Sequence, residues 1–287
     1  MNKRGPKIFL VLAVLFGSLL AASVLAVFYA LVIEPNLVVV TEVGIDHPRL
    51  AAALGNKVVV QISDLHLEGR LGFRERRLIR KLNRLQPEII LVTGDLVEET
   101  LADKLVAEFF ALLKPNLWSY GVLGNSDAFY LKGDAHLIAW RQAGLSMIGG
   151  QALRMNLIAG EGNSFWLAGI DYPRSADRLP GEEIQEVLSQ IAPPGREPVI
   201  FLSPDPQLAP LLIENGADLV LSGDTHGGQV SFPGWRRIFR KLGRSPFVRG
   251  LYQISGGWLY VNRGIGTKHV PVRFLCPPEI TVFRFHG

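Results

Sequence analysis

The chain opens with one long apolar stretch and then alternates between short apolar runs and amphipathic segments. Residues 8–33 contain no charged side chain, and at about 1.5 Å per residue such a helix crosses a hydrocarbon core about 30 Å thick. A cleaved signal peptide is the alternative, but its apolar core is usually only about 7–15 residues long. The pattern therefore favours a retained transmembrane helix.

Basic residues are distributed unequally about this helix. Lys3, Arg4 and Lys7 precede it, and the next basic residues, Arg49 and Lys57, lie well beyond it. The positive-inside rule then places the N-terminus in the cytoplasm and the rest of the chain on the other side. We therefore expect a single-pass anchor in the inner (plasma) membrane, with an extracytoplasmic C-terminal domain.

After the span, strand-like and helix-like patterns alternate. Residues 57–63 form a β-branched run, residues 73–85 place apolar side chains at helical spacing, and 88–93 and 102–113 repeat this order. Further strands are predicted at 120–123, 164–170, 198–202, 218–221, 251–254, 258–261 and 280–285, and further helices at 134–143, 181–191 and 207–214. Alternating units early and closely spaced strands late indicate an α/β protein whose sheets lie between helices.

These patterns divide the chain into three parts. Residues 1–34 form a cytoplasmic stub and the membrane anchor, residues 35–55 a linker and domain entry, and residues 56–287 one folded domain. Of the 287 residues, 48% are hydrophobic and 20% charged, which excludes a disordered or fibrous protein. Cys276 is the single cysteine, so an intrachain disulfide and a cysteine-based zinc site are also excluded.

Polar motifs stand at the ends of four predicted strands. They are Ser63-Asp64-Leu65-His66, Gly94-Asp95, Gly124-Asn125-Ser126-Asp127 and Gly223-Asp224-Thr225-His226. Ligands of open α/β sheets bind beyond the carboxyl ends of the strands, and carboxylate, imidazole and amide groups are ligands of Mn, Fe, Zn or Mg. Each motif alone is also typical of a helix cap or a turn, but four in this order favour a metal site.

The four motifs resemble those of the calcineurin-like metallophosphoesterases, whose pattern is D-x-H, G-D, G-N-H-D/E, a lone His and G-H-x-H. The resemblance covers about residues 56–287, and the segments RGIGT at 263–267 and CPPEI at 276–280 make the chain similar to a membrane-anchored bacterial branch. It implies a four-layer αββα sandwich after the transmembrane helix, with a dinuclear metal centre at the carboxyl edges of the two sheets.

The resemblance also implies which residues bind one or two divalent metal ions. For the first ion the matching ligands are Asp64, His66, Asp95 and His226, with Asp95 in the bridging position. For the second ion they are Asp95 and Asn125, together with Asp224 in the place of a family histidine. Asn125, Ser126 and Asp127 occupy the catalytic motif.

Three family histidines are replaced, all on the second-metal half of the site. Ser126, Pro204 and Asp224 stand in their places. Proline has no ligating side chain, Asp224 would bind through oxygen and favour a harder ion, and Ser126 donates only a neutral hydrogen bond. Three alternatives remain open: an enzyme with one tight and one weak metal, a two-metal enzyme completed by Asp224 and water, and a catalytically degenerate metal- or phosphate-binding protein.

An active site of this kind would hydrolyse a phosphodiester or pyrophosphate bond. Loss of the histidine donor at Ser126 would cost on the order of a hundredfold in rate, and this matters least for a pyrophosphate, whose leaving group is a phosphate. Some members of the resembled branch are similar to pyrophosphatases that split UDP-2,3-diacylglucosamine in lipid A biosynthesis, so this nucleotide-lipid is the candidate substrate. UDP-sugars are cytoplasmic, which conflicts with the predicted topology.

Positive charge is concentrated late in the chain. Residues 227–278 contain nine Lys and Arg and no Asp or Glu, although the whole chain has a net charge of only +4. Between Pro233 and Val248, basic residues alternate with aromatic and aliphatic ones, which is typical of a surface that binds an anionic membrane. A solvated loop with a few buried anchors is the alternative, and nucleic acid is disfavoured because the chain has no nucleic-acid-binding motif.

Overall fold

The computed structural model describes residues 4–114, 118–157, 164–173, 180–191, 197–232, 234, 245–268 and 270–287. The helices are α1 (Arg4–Phe28), α2 (Pro48–Leu54), α3 (Phe73–Leu85), α4 (Asp103–Ala111), α5 (Asn125–Tyr130), α6 (Ala135–Gln142), α7 (Pro180–Ser189) and α8 (Ala209–Glu214). The strands are β1 (Val39–Asp46), β2 (Val59–Ile62), β3 (Ile89–Thr93), β4 (Trp118–Val122), β5 (Leu145–Met147), β6 (Gln151–Asn156), β7 (Ser164–Gly169), β8 (Val199–Leu202), β9 (Leu219–Ser222), β10 (Gly250–Ile254), β11 (Gly257–Val261) and β12 (Glu279–His286).

The strands form two six-stranded sheets. The strand order is β1-β12-β2-β3-β4-β5 in the first sheet and β10-β11-β9-β8-β7-β6 in the second. Within them, β2, β3 and β4 run parallel, as do β8, β9 and β11. Parallel neighbours therefore end at the same edge of each sheet.

Buried polar side chains join the two sheets near that edge. Gln61 is the one polar residue of β2, and it is fully buried. Its Nε2 atom donates to Thr93 Oγ1 at 2.9 Å in the first sheet and to the carbonyl oxygen of Ser222 at 3.0 Å in the second. This satisfies both amide hydrogens inside an otherwise apolar layer and links the ends of β3 and β9.

Three apolar cores hold the layers together. Side chains from both sheets, such as Leu91 and Leu202, meet in a central core. A second core packs the first sheet against α3, α4 and α6, and a third packs the second sheet against α7 and α8. The predicted four-layer αββα sandwich is thereby confirmed.

The N-terminal helix stands apart from these cores. The segment Phe9–Asn36 is long and apolar enough to cross a membrane, and none of its most apolar window is buried against the rest of the protein. After α1 the helix continues as a π-helical turn, Tyr29–Ile33, and a 3₁₀ turn, Glu34–Asn36. A water-exposed helix with this composition would be unfavourable, so the structure agrees with a single-pass membrane anchor.

The stretch 35–55, predicted as a linker and domain entry, has regular structure of its own. It contains β1, which pairs in parallel with β12 along its whole length, and α2, whose Leu50 and Leu54 are buried in the central core. The sequence pattern missed β1 because its side chains are only half-buried in alternation with exposed ones.

The strands that the sequence pattern missed all lie at the edges of the sheets. β1 and β5 are the two edge strands of the first sheet, and β6 is an edge strand of the second. An edge strand has solvent along one side, so it lacks the continuous apolar run of a central strand. The predicted central strands and the helix at 73–85 are confirmed.

Candidate metal centre

The polar motifs lie at the carboxyl ends of strands, as predicted. Asp64 follows β2, Asp95 follows β3 and Asn125 follows β4, all in the first sheet, while Asp224 and His226 follow β9 in the second. The backbone N–H of Asp224 donates to Asp64 Oδ1 at 2.9 Å. The ends of the two sheets therefore face each other across a single site.

Four of the predicted metal ligands converge there. One potential ligand atom of each of Asp64, His66, Asp95 and His226 lies within 4.8 Å of the others, and all four side chains are buried. His66 Nε2 lies 3.0 Å from His226 Nε2 and 3.6 Å from Asp95 Oδ2. His226 Nε2 lies 3.8 Å from Asp64 Oδ1.

The backbone of these loops is unusual. Asp64, His66, Asp95, Asp224 and His226 all have positive φ angles, between 44° and 64°. A left-handed backbone is uncommon outside glycine and costs on the order of 1–3 kcal/mol per residue. Packing around the site must therefore stabilise it, and strain concentrated in this way is typical of functional sites.

Two glycines permit the close approach of the loops. A Cβ atom at Gly223 would lie 1.9 Å from Ser63 Oγ and 2.7 Å from Asp64 Oδ2. A Cβ atom at Gly124 would lie 2.2 Å from Asp95 Oδ1. Any larger residue would displace one of the two carboxylates, so both positions require glycine for space.

The electrostatics of the cluster fit a bound cation. Burial raises the pKa of Asp64 well above its usual range, and the carboxylates of Asp95 and Asp224 raise it further. Burial also holds the pKa of His226 well below its usual range, which favours the neutral, metal-binding form of the ring. Within the described part of the chain, Asp64 Oδ2 and Asp95 Oδ2 are buried without a hydrogen-bond partner. Two such carboxylates and two imidazole rings fit a divalent metal ion.

Glu98 completes this half of the site, although no sequence motif pointed to it. Its Oε2 atom contacts His66 Nδ1, which directs His66 Nε2 towards the other potential ligands. The hydrogen bond with His66 lowers the pKa of Glu98. A carboxylate behind a metal-binding histidine fixes the ring and its tautomer. Glu98 lies outside the polar motifs, and its only signal was its position three residues after Asp95.

Asp127, predicted as catalytic, has both carboxylate oxygens hydrogen-bonded to backbone groups. Its Oδ1 atom accepts the backbone N–H groups of Leu96 and Val97 at 2.8 and 3.0 Å, and its Oδ2 atom accepts that of Gly124 at 2.9 Å. Both carboxylate oxygens are therefore used by the loops that carry Asp95 and Asn125. Burial and the nearby Asp95 carboxylate raise the pKa of Asp127 to about 8, although these backbone donors favour the anion.

Ser126, which was predicted to stand in the place of a family histidine, lies beside the four-residue cluster. Its backbone N–H donates to Asp95 Oδ1 at 2.8 Å, and its hydroxyl lies 3.5 Å from Glu98 Oε2 and 3.4 Å from Asn125 Oδ1. The side chain is buried beside the cluster. Ser126 therefore orients Asp95 through its backbone and offers only a weak neutral donor at this position.

The predicted second-metal residues form a hydrogen-bonded group beside the first four. Asn125 Nδ2 donates to Asp224 Oδ1 at 2.9 Å, and the ammonium group of Lys268 donates to Asn125 Oδ1 at 2.7 Å. Pro204 offers no ligand, and the neighbouring Asp205 accepts the backbone N–H of Gln207 at 2.8 Å as the cap of a 3₁₀ turn. In the sequence, Lys268 is marked only as one basic residue of the positively charged stretch 227–278.

Most of the predicted membrane-binding surface between Pro233 and Val248 lies outside the described residues. Gly234 and residues 245–248 are described, and Val248 is buried. The carbonyl oxygen of Val248 accepts a hydrogen bond from the Thr225 hydroxyl, next to His226. The C-terminal end of the segment is therefore hydrogen-bonded to the loop that carries His226, a potential metal ligand.

Comparison with known proteins identifies relatives along almost the whole chain. An uncharacterised metallophosphoesterase of Bacillus subtilis is 28% identical over 94% of both chains. The UDP-2,3-diacylglucosamine pyrophosphatase LpxG of Chlamydia trachomatis is 29% identical over 93% of this chain and 95% of its own. A transmembrane protein with metallophosphoesterase domain from Danio rerio is 31% identical over 92% of this chain and 61% of its own.

The family comparison covers the site itself. The model of the calcineurin-like phosphoesterase family matches residues 57–228. This region contains β2, β3, β4 and β9 and the loops that carry Asp64, His66, Asp95 and His226. More than half of the chain and its whole buried ligand cluster fall within the match, and the chain therefore belongs to the calcineurin-like phosphoesterase family.

Proposed function

We propose that this protein is a membrane-anchored hydrolase that uses one or two divalent metal ions to cleave a phosphodiester or pyrophosphate bond in a membrane-associated substrate. The observation that carries the proposal is the attachment of the membrane helix to the segment that borders the metal cluster. The chain's membership of the family supports the hydrolysis of a phosphoester. The attachment supports the more specific choice of a lipid-linked substrate.

The attachment uses buried hydrogen bonds. The carboxylate of Glu34, at the end of the membrane segment, accepts the backbone N–H groups of Leu275 and Cys276. The backbone N–H of Arg273 donates to the carbonyl oxygen of Ala30 at 2.9 Å. Cys276 in turn places its Sγ atom 3.4 Å from the carbonyl oxygen of His226. In space, the segment 275–276 therefore connects the end of the membrane helix with His226, a potential metal ligand.

Apolar side chains are exposed around this junction. Val230 and Phe232 lie on the strand-like segment that pairs with Phe274, and Leu275 follows it. All three are exposed, Leu275 by 53%. Exposed apolar side chains next to a membrane helix favour contact with the lipid surface, which would hold the site at the depth of lipid headgroups.

The chemistry follows from the donor set. When bound, a divalent ion supplies a hydroxide nucleophile near neutral pH and neutralises charge on the phosphoryl oxygens. Asp64, His66, Asp95 and His226 would hold it, and Glu98 keeps the His66 ring in the orientation for binding. Ser126 carries no proton acidic enough to assist a poor leaving group. This favours a pyrophosphate bond, whose leaving group is a phosphate that needs little protonation.

The candidate substrate is UDP-2,3-diacylglucosamine, a pyrophosphate that carries two acyl chains. A relative named for that pyrophosphatase activity aligns along nearly the whole chain. This proposal places the catalytic domain on the cytoplasmic face of the inner membrane, where UDP-sugars occur, whereas the three basic residues ahead of the uncharged stretch 8–33 favour the outer face. A C-terminal reporter fusion distinguishes the two orientations.

The test uses the full chain purified in detergent with Mn²⁺ or Mg²⁺. We expect it to split UDP-2,3-diacylglucosamine faster than a soluble UDP-sugar, with both products identified by ³¹P NMR, and we expect Asp64→Asn to remove the activity. Equal rates on the lipid and the soluble compound would contradict the membrane-associated substrate. Failure to hydrolyse any diester or pyrophosphate would favour the catalytically degenerate binding protein, which the replacement of family histidines at Ser126 and Pro204 supports.

The basic segment between Pro233 and Val248 supplies a second contact with the membrane in this proposal. Its alternation of basic and aromatic residues supports binding to anionic lipid. We expect the full chain to show faster turnover in anionic than in neutral lipid bilayers at low salt, and to lose the difference at high salt. Equal turnover in both bilayers at low salt would contradict a contact between the basic segment and anionic lipid.

A further inference from the structure

Lys268 reaches the metal centre with its charged end. Its Nζ atom donates to Asn125 Oδ1 at 2.7 Å and lies 3.5 Å from Asp95 Oδ2, one of the buried carboxylate oxygens that lack a hydrogen-bond partner. Lys268 comes from the loop after β11, whereas Asn125 and Asp95 follow β4 and β3. The contact therefore joins parts of the chain that are 143 residues apart.

The backbone of Lys268 is held in place by a side chain from the loop of His226. Gln229 Oε1 accepts the backbone N–H of Lys268 at 2.6 Å, and Gln229 Nε2 donates to its carbonyl oxygen at 3.1 Å. Both ends of one amide group thus bind the same residue. These two hydrogen bonds fix the backbone of Lys268 beside the site, so that its side chain starts from a defined position.

The Asn125 amide is oriented by the lysine. Its oxygen faces the Lys268 ammonium and its nitrogen faces the Asp224 carboxylate. The reversed orientation would place N–H groups against the ammonium and an oxygen against the carboxylate, and both contacts would be repulsive. The oxygen that Asn125 would offer to a second metal ion is therefore already bound to Lys268.

Charge balance favours a cation at this position. Asp64, Asp95, Asp224 and Glu98 contribute carboxylates around the cluster, and one divalent ion would neutralise only part of their charge. Ammonium and divalent cations prefer the same oxygen atoms. Pro204 offers no side-chain ligand, and Asp224 Oδ1 already accepts a hydrogen bond from Asn125 Nδ2 at 2.9 Å.

We propose that the ammonium group of Lys268 takes the place of a second metal ion, so that the site binds one divalent ion, with Lys268 neutralising Asp95 and facing the phosphoryl group. This inference rests on the proposed function for the role of Lys268 towards a phosphoryl group. The number of metal ions that bind is independent of substrate, and the test is built on that number.

The experiment titrates the full chain in detergent with Mn²⁺, using calorimetry for stoichiometry and EPR for the distance between ions. The wild type is expected to bind one Mn²⁺ and to give an uncoupled spectrum. Lys268→Met and Lys268→Gln free Asp95 and Asn125, so a second Mn²⁺ is expected to bind at least about tenfold more tightly than in the wild type, with an exchange-coupled spectrum. Lys268→Arg keeps the charge and is expected to bind one ion.

A matched control and a folding check complete the test. Lys104→Met removes an exposed lysine of α4 and is expected to leave the stoichiometry at one. Circular dichroism melting identifies any variant that fails to fold. If Lys268→Met fails to fold, the metal stoichiometry of Lys268→Gln is compared with that of Lys268→Arg. Two coupled Mn²⁺ ions in the wild type, or one ion in folded Lys268→Met and Lys268→Gln, would overturn the proposal. A stoichiometry of one without hydrolysis of any substrate would overturn the proposed function alone.

Discussion

The Nδ1 atom of His66 is hydrogen-bonded to the carboxylate of Glu98, and its Nε2 atom lies 3.0 Å from Nε2 of His226. Because an ionised carboxylate only accepts hydrogen bonds, Nδ1 is the donor of this contact, and in a neutral ring the lone pair is then on Nε2. A residue outside the polar motifs thus decides which nitrogen of His66 is available to a metal ion.

Replacement of Glu98 should weaken metal binding without removing a ligand. Glu98→Ala leaves the His66 ring free to rotate and to exchange tautomers, so we expect the affinity for Mn²⁺ to fall by about 10–100-fold. Calorimetric titration measures the affinity. The control is Glu108→Ala, which removes an exposed carboxylate from α4. Unchanged affinity in Glu98→Ala would show that packing alone orients His66.

Gly223 should tolerate no side chain. The Cβ atom of Gly223→Ala would lie 1.9 Å from Ser63 Oγ, so either Ser63 and Asp64 move or the β9 loop moves. We expect loss of Mn²⁺ binding and a destabilisation of about 1–3 kcal/mol, typical of overpacking, measured by thermal unfolding.

Two further variants test whether the effect of Gly223→Ala is caused by a steric clash. In Gly223→Ala with Ser63→Gly, the clash with Ser63 is relieved and part of the stability should return. Gly181 lies in α7 with open space around its missing Cβ atom, so Gly181→Ala should be neutral or stabilising. Equal losses in Gly223→Ala and Gly181→Ala would contradict the steric explanation.

Glu34 should matter for lipid-linked substrates in particular. Glu34→Ala leaves the backbone N–H groups of Leu275 and Cys276 without their acceptor, and the membrane helix then loses its fixed position relative to the metal site. We expect kcat/KM for the nucleotide-lipid to fall about tenfold, or ~1.4 kcal/mol, while hydrolysis of a soluble diester changes little. The control is Glu42→Ala, an exposed carboxylate on β1. A parallel loss on both substrates would indicate general damage to the site.

An ion pair on the second sheet should make stability depend on pH. The N–H of Arg154 Nε lies 2.9 Å from both carboxylate oxygens of Glu197, and Arg154 Nη2 donates to Glu197 Oε1. The Ser164 hydroxyl donates to the same Oε1 atom at 2.6 Å. The Arg154 hydrogen bonds lower the pKa of Glu197 to about 2 from an ordinary value of 4.5. Because the folded-state pKa is the lower one, the stabilisation is present above pH 4.5 and is lost as the pH falls towards 2.

The measurement compares the wild type with Glu197→Gln by thermal unfolding between neutral pH and about pH 2. The wild type should melt at the higher temperature at neutral pH, and the two curves should converge as Glu197 becomes protonated. The effect is expected to be small because Arg154 is largely exposed. A difference in melting temperature that does not change with pH would assign the effect to packing.

The central strands, the main helices, the membrane segment and the motif residues at the strand ends could all be predicted from the sequence. These features are local: a buried parallel strand needs a continuous apolar run, and a helix needs apolar residues at helical spacing. The potential metal ligands could be found because they follow parallel strands, which end at the same edge of a sheet. They are Asp64, His66, Asp95 and His226. The edge strands β1, β5 and β6 could not be predicted, since solvent on one side weakens their pattern.

The residues that complete the site could be identified only once the chain was folded. Glu98 meets His66 across 32 residues, Lys268 meets Asn125 across 143, and Glu34 meets Leu275 across 241. Such contacts depend on the stacking of two sheets and on left-handed backbone at five loop residues, neither of which leaves a periodic pattern in the sequence. A lysine or glutamate in a polar loop has the same local signature on a solvated surface and in a metal site. Their roles follow from the side chains that folding places opposite them.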